Sequence, residues 1–149
     1  MKTVERHGAA RINLLIVLGL FGLAALVLLL LLLQPSPDDA ARRFMQALAS
    51  HDVNTLTEMT YLEHPHAPIR EQWDLCVNHL AKNYVFLWSY EGIRQPTPDE
   101  AVVRMNFTEF LGPEPHQTDS FELPLVKRDG RWKVDIASLT RKFFPGLPY

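Results

Sequence analysis

The sequence predicts an amino-terminal transmembrane helix followed by one α+β domain, with about three helices packed on a curved, mainly antiparallel four-stranded sheet. Three observations support this fold class. An uncharged apolar run covers residues 14–33, apolar residues then recur at helical spacing from 37 to 84, and from 85 onward they alternate with a period of two. Helices that precede a block of strands are typical of α+β architecture. The length of 149 residues leaves room for one domain beside the anchor.

The apolar run consists of twenty consecutive residues without a charged or hydrogen-bonding side chain, Leu14 to Leu33. At about 1.5 Å per residue it spans the roughly 30 Å hydrocarbon core of a bilayer. A cleaved secretory signal is the main alternative, but its apolar region is usually about 7–15 residues long and ends at a small-x-small site. Gln34-Pro35-Ser36-Pro37 offers no clear site of that kind. The predicted organisation is a tail at 1–11, a membrane helix at 12–33, a linker at 34–37 and a domain at 38–149.

The charges that flank this run predict its orientation. Lys2, Arg6 and Arg11 precede it against a single acid, Glu5, and an excess of basic residues marks the cytoplasmic side of a membrane helix. We therefore expect a cytoplasmic tail and an extracytoplasmic domain.

Composition excludes one class of partner for the exported part. Residues 34–149 contain 12 basic and 16 acidic residues, a net charge of −4, whereas nucleic-acid binders are basic on their contact face.

The single cysteine, Cys76, cannot form an internal disulfide, and its helical position predicts an inert core residue. The basic residues concentrate in 127–149, which predicts either a solvated strand edge or a surface for anionic lipid or an acidic partner.

Three helices are predicted in order. Ser36 can cap a first helix that begins at Pro37, because serine accepts from the free N–H groups and proline suits the first position. Asp52 can cap a second, shorter helix in the same way. From Ile69 to about Tyr84, apolar residues at intervals of three and four predict a third helix.

Four strands follow, each indicated by alternating apolar residues. The Asp129-Gly130 pair predicts a tight hairpin between the last two strands, because both residues tolerate positive φ. The predicted strands are 85–90, 101–108, 121–125 and 132–136.

The two ends of the domain resemble a known family. The opening helix PDDAARRFMQAL (37–48) and the closing hairpin LVKRDGRWKVD (125–135) are similar to the nuclear-transport-factor-2-like superfamily, and most similar to its small bacterial exported members of unassigned function. The resemblance covers residues 37–137. It implies a cone-shaped domain in which a bent sheet wraps around a helix and a cavity opens at one end. It also implies that the membrane is the bacterial inner membrane, with the domain in the periplasm or outside the cell.

An aromatic strip is the first candidate site. It could line a pocket for an apolar ligand, although such strips more often form the core of a small domain. Glu109, in phase with the inward residues of its strand, could act as a general base, as Asp74 or Glu91 could. The arrangements of enzymes in the superfamily are not matched residue by residue, so we assign no catalytic residue. The pocket candidates are Trp73, Phe86, Trp88, Tyr90, Glu109 and Trp132.

Two histidines in a proline-rich loop, His64 and His66, form a second candidate site. Imidazoles at this spacing could contribute to a zinc or copper site, but the remaining histidines are scattered and a polar surface loop explains the pattern as well. We expect neither a metal nor a cofactor.

These observations favour a membrane-tethered, non-enzymatic interaction module that binds a protein partner or itself. The strand at 85–90 is apolar on both faces, so one face can meet the helices and the other a partner chain. A homodimer or an envelope protein is the expected partner, with residues 12–33 in the membrane. A small apolar-ligand-binding domain is the alternative, and an isomerase- or hydrolase-like enzyme using a cavity carboxylate is a further one.

Overall fold

The computed structural model describes residues 16–17, 19–27, 29, 36–110 and 118–149. The chain divides into two units, Met1–Gln34 and Pro35–Tyr149. In the first unit, residues 19–27 are helical and their large apolar side chains are exposed. None of the helices formed by the described residues is long and apolar enough to cross a membrane. The predicted tail at 1–11, both ends of the predicted span at 12–33 and residues 34–35 of the linker lie outside the described residues.

The second unit begins with two capped helices, as the sequence predicts. Helix α1 (Pro37–Ala49) starts behind Ser36, whose Oγ accepts from the Asp39 N–H at 3.3 Å. Helix α2 (Val53–Met59) starts behind Asp52, whose Oδ1 accepts from the N–H groups of Asn54 and Thr55, each at 3.1 Å. The hydrogen bonds from Thr55 hold the pKa of Asp52 below its ordinary value.

The third helix differs from its prediction. It is α-helical only over α3 (Ile69–Asp74) and continues as a π-helical stretch, Leu75–Leu80, in which the Ala81 N–H donates to the Cys76 carbonyl. The wider π turn changes which residues face inward. Cys76 and Val77 are buried, but Leu80, expected on the buried face, is 58% exposed. The helix also ends earlier than the predicted Tyr84.

The sheet contains five strands, not the four predicted. Strands β2 (Val85–Thr97), β3 (Glu100–Phe110), β4 (Thr118–Arg128) and β5 (Arg131–Asp135) are antiparallel neighbours. The additional strand β1 (Thr60–Tyr61) pairs parallel with β5, which makes the sheet mixed, in the order β1-β5-β4-β3-β2. Two residues are too few to produce an alternating pattern, so β1 leaves no signal in the sequence.

The predicted hairpin between β4 and β5 is confirmed. Asp129 and Gly130 have φ values of 52° and 73°, the left-handed pair that a two-residue turn of the favoured type needs. This turn fixes the β4–β5 register, in which Lys127 lies opposite Trp132 and Leu125 opposite Val134. Every other residue of the hairpin therefore faces the helices.

The buried apolar side chains of the described residues all come from 40–147. Helix α1 contributes Phe44, Met45 and Leu48, the strands contribute their inward residues, and the segment after β5 folds back to add Leu139, Phe143, Phe144 and Leu147. A core made within one contiguous segment of this length is enough for an independent fold. We therefore treat residues 36–149 as a domain that folds without the amino-terminal unit.

Candidate functional site

The aromatic strip predicted as a pocket wall lies on the helix-facing side of the sheet and on α3. Trp73, Phe86 and Trp132 are buried, whereas Trp88 and Tyr90 are half-buried and pack against the core. Trp73 donates from Nε1 to the Thr60 Oγ1 at 2.7 Å, so its polar atom is satisfied inside the protein. The structure brings these residues together as parts of one core.

Three phenylalanines outside the predicted strip, Phe107, Phe143 and Phe144, pack against Phe86 or against one another. The rings of Phe107 and Phe86 stack at 4.4 Å between centroids. Phe143 lies 5.4 Å from Phe107, and Phe144 lies 5.8 Å from Phe86. Because these rings contact one another, side chains occupy the interior of the domain at this point. The sequence signal that could have indicated it is the Phe143-Phe144 pair after the last strand.

Glu109 lies on the same face, as its phase in the strand predicts, and opposite Phe86 in the neighbouring strand. Its half-buried carboxylate accepts a hydrogen bond from the Tyr84 hydroxyl. Burial, and then this hydrogen bond, raise the pKa of the Tyr84 phenol well above its ordinary value. Tyr84 stays protonated and acts as a donor, so the pair joins the start of β2 to the end of β3.

We expect Tyr84→Phe to lower the free energy of unfolding by about 1 kcal/mol, because one hydrogen bond to a partly buried carboxylate is lost. The pH dependence gives a sharper test. A phenol whose folded pKa is raised stabilises the protein fully below its unfolded pKa of about 10, and this contribution is lost as pH rises above it.

Urea unfolding from about pH 8 to about pH 11 should therefore show a steeper alkaline loss of stability in the wild type than in Tyr84→Phe. Tyr149→Phe, which changes an exposed tyrosine, is the control and should keep the wild-type slope. Equal slopes in all three proteins would contradict the assignment.

The histidine loop does not converge with other ligands. His64 and His66 are exposed, and the His66 ring packs at 5.3 Å from the ring of Tyr149. Across residues 36–110 and 118–149, no three histidine, cysteine or acidic side chains are placed to hold a metal ion.

Burial raises the pKa of the Cys76 thiol to about 12, and the thiol donates to the Pro145 carbonyl.

A polar cleft of about 580 Å³ lies between the α1–α2 turn and α3, and sequence reasoning missed it. Its polar side chains are largely engaged with one another. Asp74 accepts from Asn78 at 2.8 Å and lies 3.8 Å from His79, while Arg70 donates to Asn54. The Asp74 side chain is 53% exposed, so water reaches its carboxylate.

The face of the sheet turned away from the helices is a different kind of surface. Val85 and Leu87 are 60% and 62% exposed there. They alternate along β2 with the buried Phe86 and the half-buried Trp88, so the strand is apolar on both faces, as the sequence predicts. A large apolar side chain that remains exposed on an ordered strand indicates a contact surface.

The rest of this outer face is polar and carries both charges. The Oγ1 atoms of Thr108 and Thr118 are 2.7 Å apart. Towards the other end, Arg104 lies 3.4 Å and Arg94 lies 3.9 Å from Glu122. The outer face thus has an apolar end, a centre with hydroxyl groups and a charged end.

Similarity to known proteins is a similarity of fold. No protein-family model matches the sequence, and a search of curated proteins finds no match. One matching solved structure comes from Thiobacillus denitrificans and is provisionally described as a calcium/calmodulin-dependent protein kinase type II association domain. Its TM-score is 0.52 and its sequence identity is 13%, and the match covers 67% of this chain and 90% of that chain. An NTF-2-like protein of unknown function from Shewanella oneidensis has a TM-score of 0.46 and 14% identity (64% and 88% covered). A ketosteroid isomerase-like protein from Erwinia carotovora atroseptica has a TM-score of 0.45 and 17% identity (65% and 86% covered).

The chain shares its fold with the Thiobacillus protein, and its structural neighbours include an NTF-2-like protein. The resemblance predicted from residues 37–137 is therefore confirmed as a resemblance of fold. Identities of this size carry no information on activity, because this fold hosts many unrelated functions.

A depression of about 280 Å³ lies between the first turns of α1 and the edge of β5. Strand β1 pairs only with Val134 and Asp135, so among the described residues 131–133 of β5 have no strand partner on that side. Arg43, Arg131 and Lys133 line the depression, and Glu58 lies 3.2 Å from Arg43 and 3.3 Å from Arg131.

Proposed function

We propose that this chain is a membrane-tethered, non-enzymatic interaction module of the bacterial envelope, whose domain pairs with a second copy through the outer face of its sheet. The observation that carries the proposal is the exposure of Val85 and Leu87 on an ordered strand whose opposite face packs against the core. An exposed apolar patch with a polar rim is typical of a protein–protein contact.

A second copy is the occupant that fits the charges best. A two-fold dimer brings the same patch of each chain together, so the patch must complement itself. The outer face carries Arg94, Arg104 and Glu122 together, which lets each copy supply both partners of an ion pair. A purely basic or purely acidic face would repel its own copy.

The size of the face is also adequate. Strands β2, β3 and β4 contain 13, 11 and 11 residues. With about 3.3 Å per residue and about 4.8 Å between strands, these strands cover an area of roughly 500 Å² in the plane of the sheet, without the additional surface of their side chains. A standard interface buries about 800 Å² of accessible surface per partner, so the proposed dimer would use this whole face, and the surface of its projecting side chains would supply the remaining area.

The filled interior supports an interaction module over a ligand-binding domain or an enzyme. Those alternatives need an open interior, and rings from β3 and the carboxyl-terminal segment pack against Phe86 there. The Thiobacillus protein is described as an association domain, and an association role suits a domain whose exposed apolar side chains lie on the outer face of its sheet.

The membrane anchor rests on the twenty-residue apolar run before Gln34. An anchor would confine all copies to one surface and so raise their effective concentration. A weak dimer of the isolated domain would then suffice in the membrane.

Two measurements test this proposal separately. Sedimentation equilibrium of residues 36–149 should show reversible dimers at micromolar concentrations, and monomers at every concentration would contradict self-association. Alkaline carbonate extraction of membranes should leave the full chain in the pellet. A mature product that begins near residue 35 and is found in the soluble fraction would contradict the anchor.

A further inference from the structure

We propose that the depression between α1 and the edge of β5 binds the phosphate of an anionic lipid headgroup, so that the domain docks on the membrane that carries its anchor. This inference rests on the proposed anchor and extends it. It assigns a partner to a surface that self-association through the outer face does not use.

Three cations converge on the depression. Arg43 comes from α1, and Arg131 and Lys133 come from β5. Two acids share the lining, but both are already engaged: Asp39 accepts from the Ser36 hydroxyl at 2.6 Å, and Glu58 is held between the two arginines. Three cations against two acids leave the lining a net charge of +1, and Glu58 orders both guanidinium groups beside one opening. Guanidinium groups are well suited to phosphate oxygens.

The depression is lined by the part of the domain that follows the apolar run most closely in sequence. Asp39, Ala40 and Arg43 lie in the first two turns of α1 and line it.

The distribution of charge favours an anionic surface as the occupant. Residues 127–149 carry a net charge of +4, whereas residues 34–149 as a whole carry −4. The segment that supplies Arg131 and Lys133 is therefore basic within an acidic domain, and an anionic bilayer attracts such a segment.

Vesicle sedimentation of residues 36–149 tests the site without the anchor. The domain should bind vesicles that contain phosphatidylglycerol and phosphatidylcholine, and should not bind vesicles of phosphatidylcholine alone. The variant Arg131→Gln/Lys133→Gln should bind the anionic vesicles about 30-fold more weakly, since each cation near such a surface contributes about 5-fold.

The variant Arg70→Gln/Lys82→Gln is the matched control, because it removes the same charge from residues that do not line the depression. It should bind at least several-fold more tightly than Arg131→Gln/Lys133→Gln at equal ionic strength, with circular dichroism confirming that both are folded.

Three outcomes would overturn the inference. The first is that the two double variants lose equal affinity for the anionic vesicles. The second is that the domain binds neutral vesicles as tightly as anionic ones. The third is that inorganic phosphate raises the melting temperature while no vesicles are bound, which would assign the depression to a soluble phosphate. None of them depends on the dimer or on the anchor, so failure here is distinguishable from failure of the proposed function.

Discussion

Replacing Phe107 with alanine is expected to lower the free energy of unfolding of residues 36–149 by about 3–5 kcal/mol. Phe107 is 1% exposed and packs against rings from three parts of the chain, among them Phe86 at 4.4 Å and Phe143 at 5.4 Å. Removing its ring loses the transfer free energy and leaves a cavity that these neighbours can only partly close. Because small domains have a total stability of about 5–15 kcal/mol, urea denaturation would detect the change easily.

The same variant distinguishes a filled interior from a ligand pocket. An apolar cavity of about the size of a benzene ring stays dry and takes up small aromatic molecules, so benzene or indole should raise the melting temperature of Phe107→Ala and not that of the wild type. Tyr149→Ala, which removes an aromatic ring that is mostly exposed, should cost far less. A loss below about 1 kcal/mol for Phe107→Ala would mean that the interior is already open, and would revive the ligand-binding alternative.

The local features of the fold could be predicted because short segments determine them. Ser36 and Asp52 cap helices through their own side chains, and Asp129-Gly130 supplies the two positive φ values of its turn. The alternating strands could be predicted for the same reason, since side-chain direction in a strand depends only on its neighbours in sequence.

The features that the sequence could not indicate depend on distant parts of the chain. Strand β1 exists only because β5 lies beside it. Leu80 has the spacing of a buried α-helical residue, but the π turn after Asp74 rotates it outward.

The candidate site shows the same division. The sequence indicates that β2 is apolar on both faces, and that is the property on which the outer surface depends. It cannot indicate whether the interior is open, because this depends on how the segment after β5 folds back. Phe144 reaches Phe86 from 58 positions along the chain, and Phe143 reaches Phe107 from 36. The apolar Phe143-Phe144 pair indicates that this segment is buried, but not which rings it contacts.

Replacing Leu87 with lysine is expected to weaken the proposed dimer by at least about 100-fold, because a two-fold interface would bury two new ammonium groups among apolar side chains without partners. Leu87 is 62% exposed and points away from the core, so the fold of the monomer should not change. Sedimentation equilibrium of residues 36–149 measures the dissociation constant, and urea denaturation checks that the free energy of unfolding of the monomer stays within about 0.5 kcal/mol of the wild type.

Leu75→Lys is the matched control, because Leu75 is also an exposed leucine, at 53%, but lies on the π-helical stretch rather than on the sheet. It introduces the same charge and removes the same apolar group, so any general effect of charge on association is shared by both variants. Self-association that survives Leu87→Lys and is lost in Leu75→Lys would move the interface to the helical side. Loss in Leu87→Lys alone would assign the contact to the strand whose two apolar faces distinguish it in the sequence.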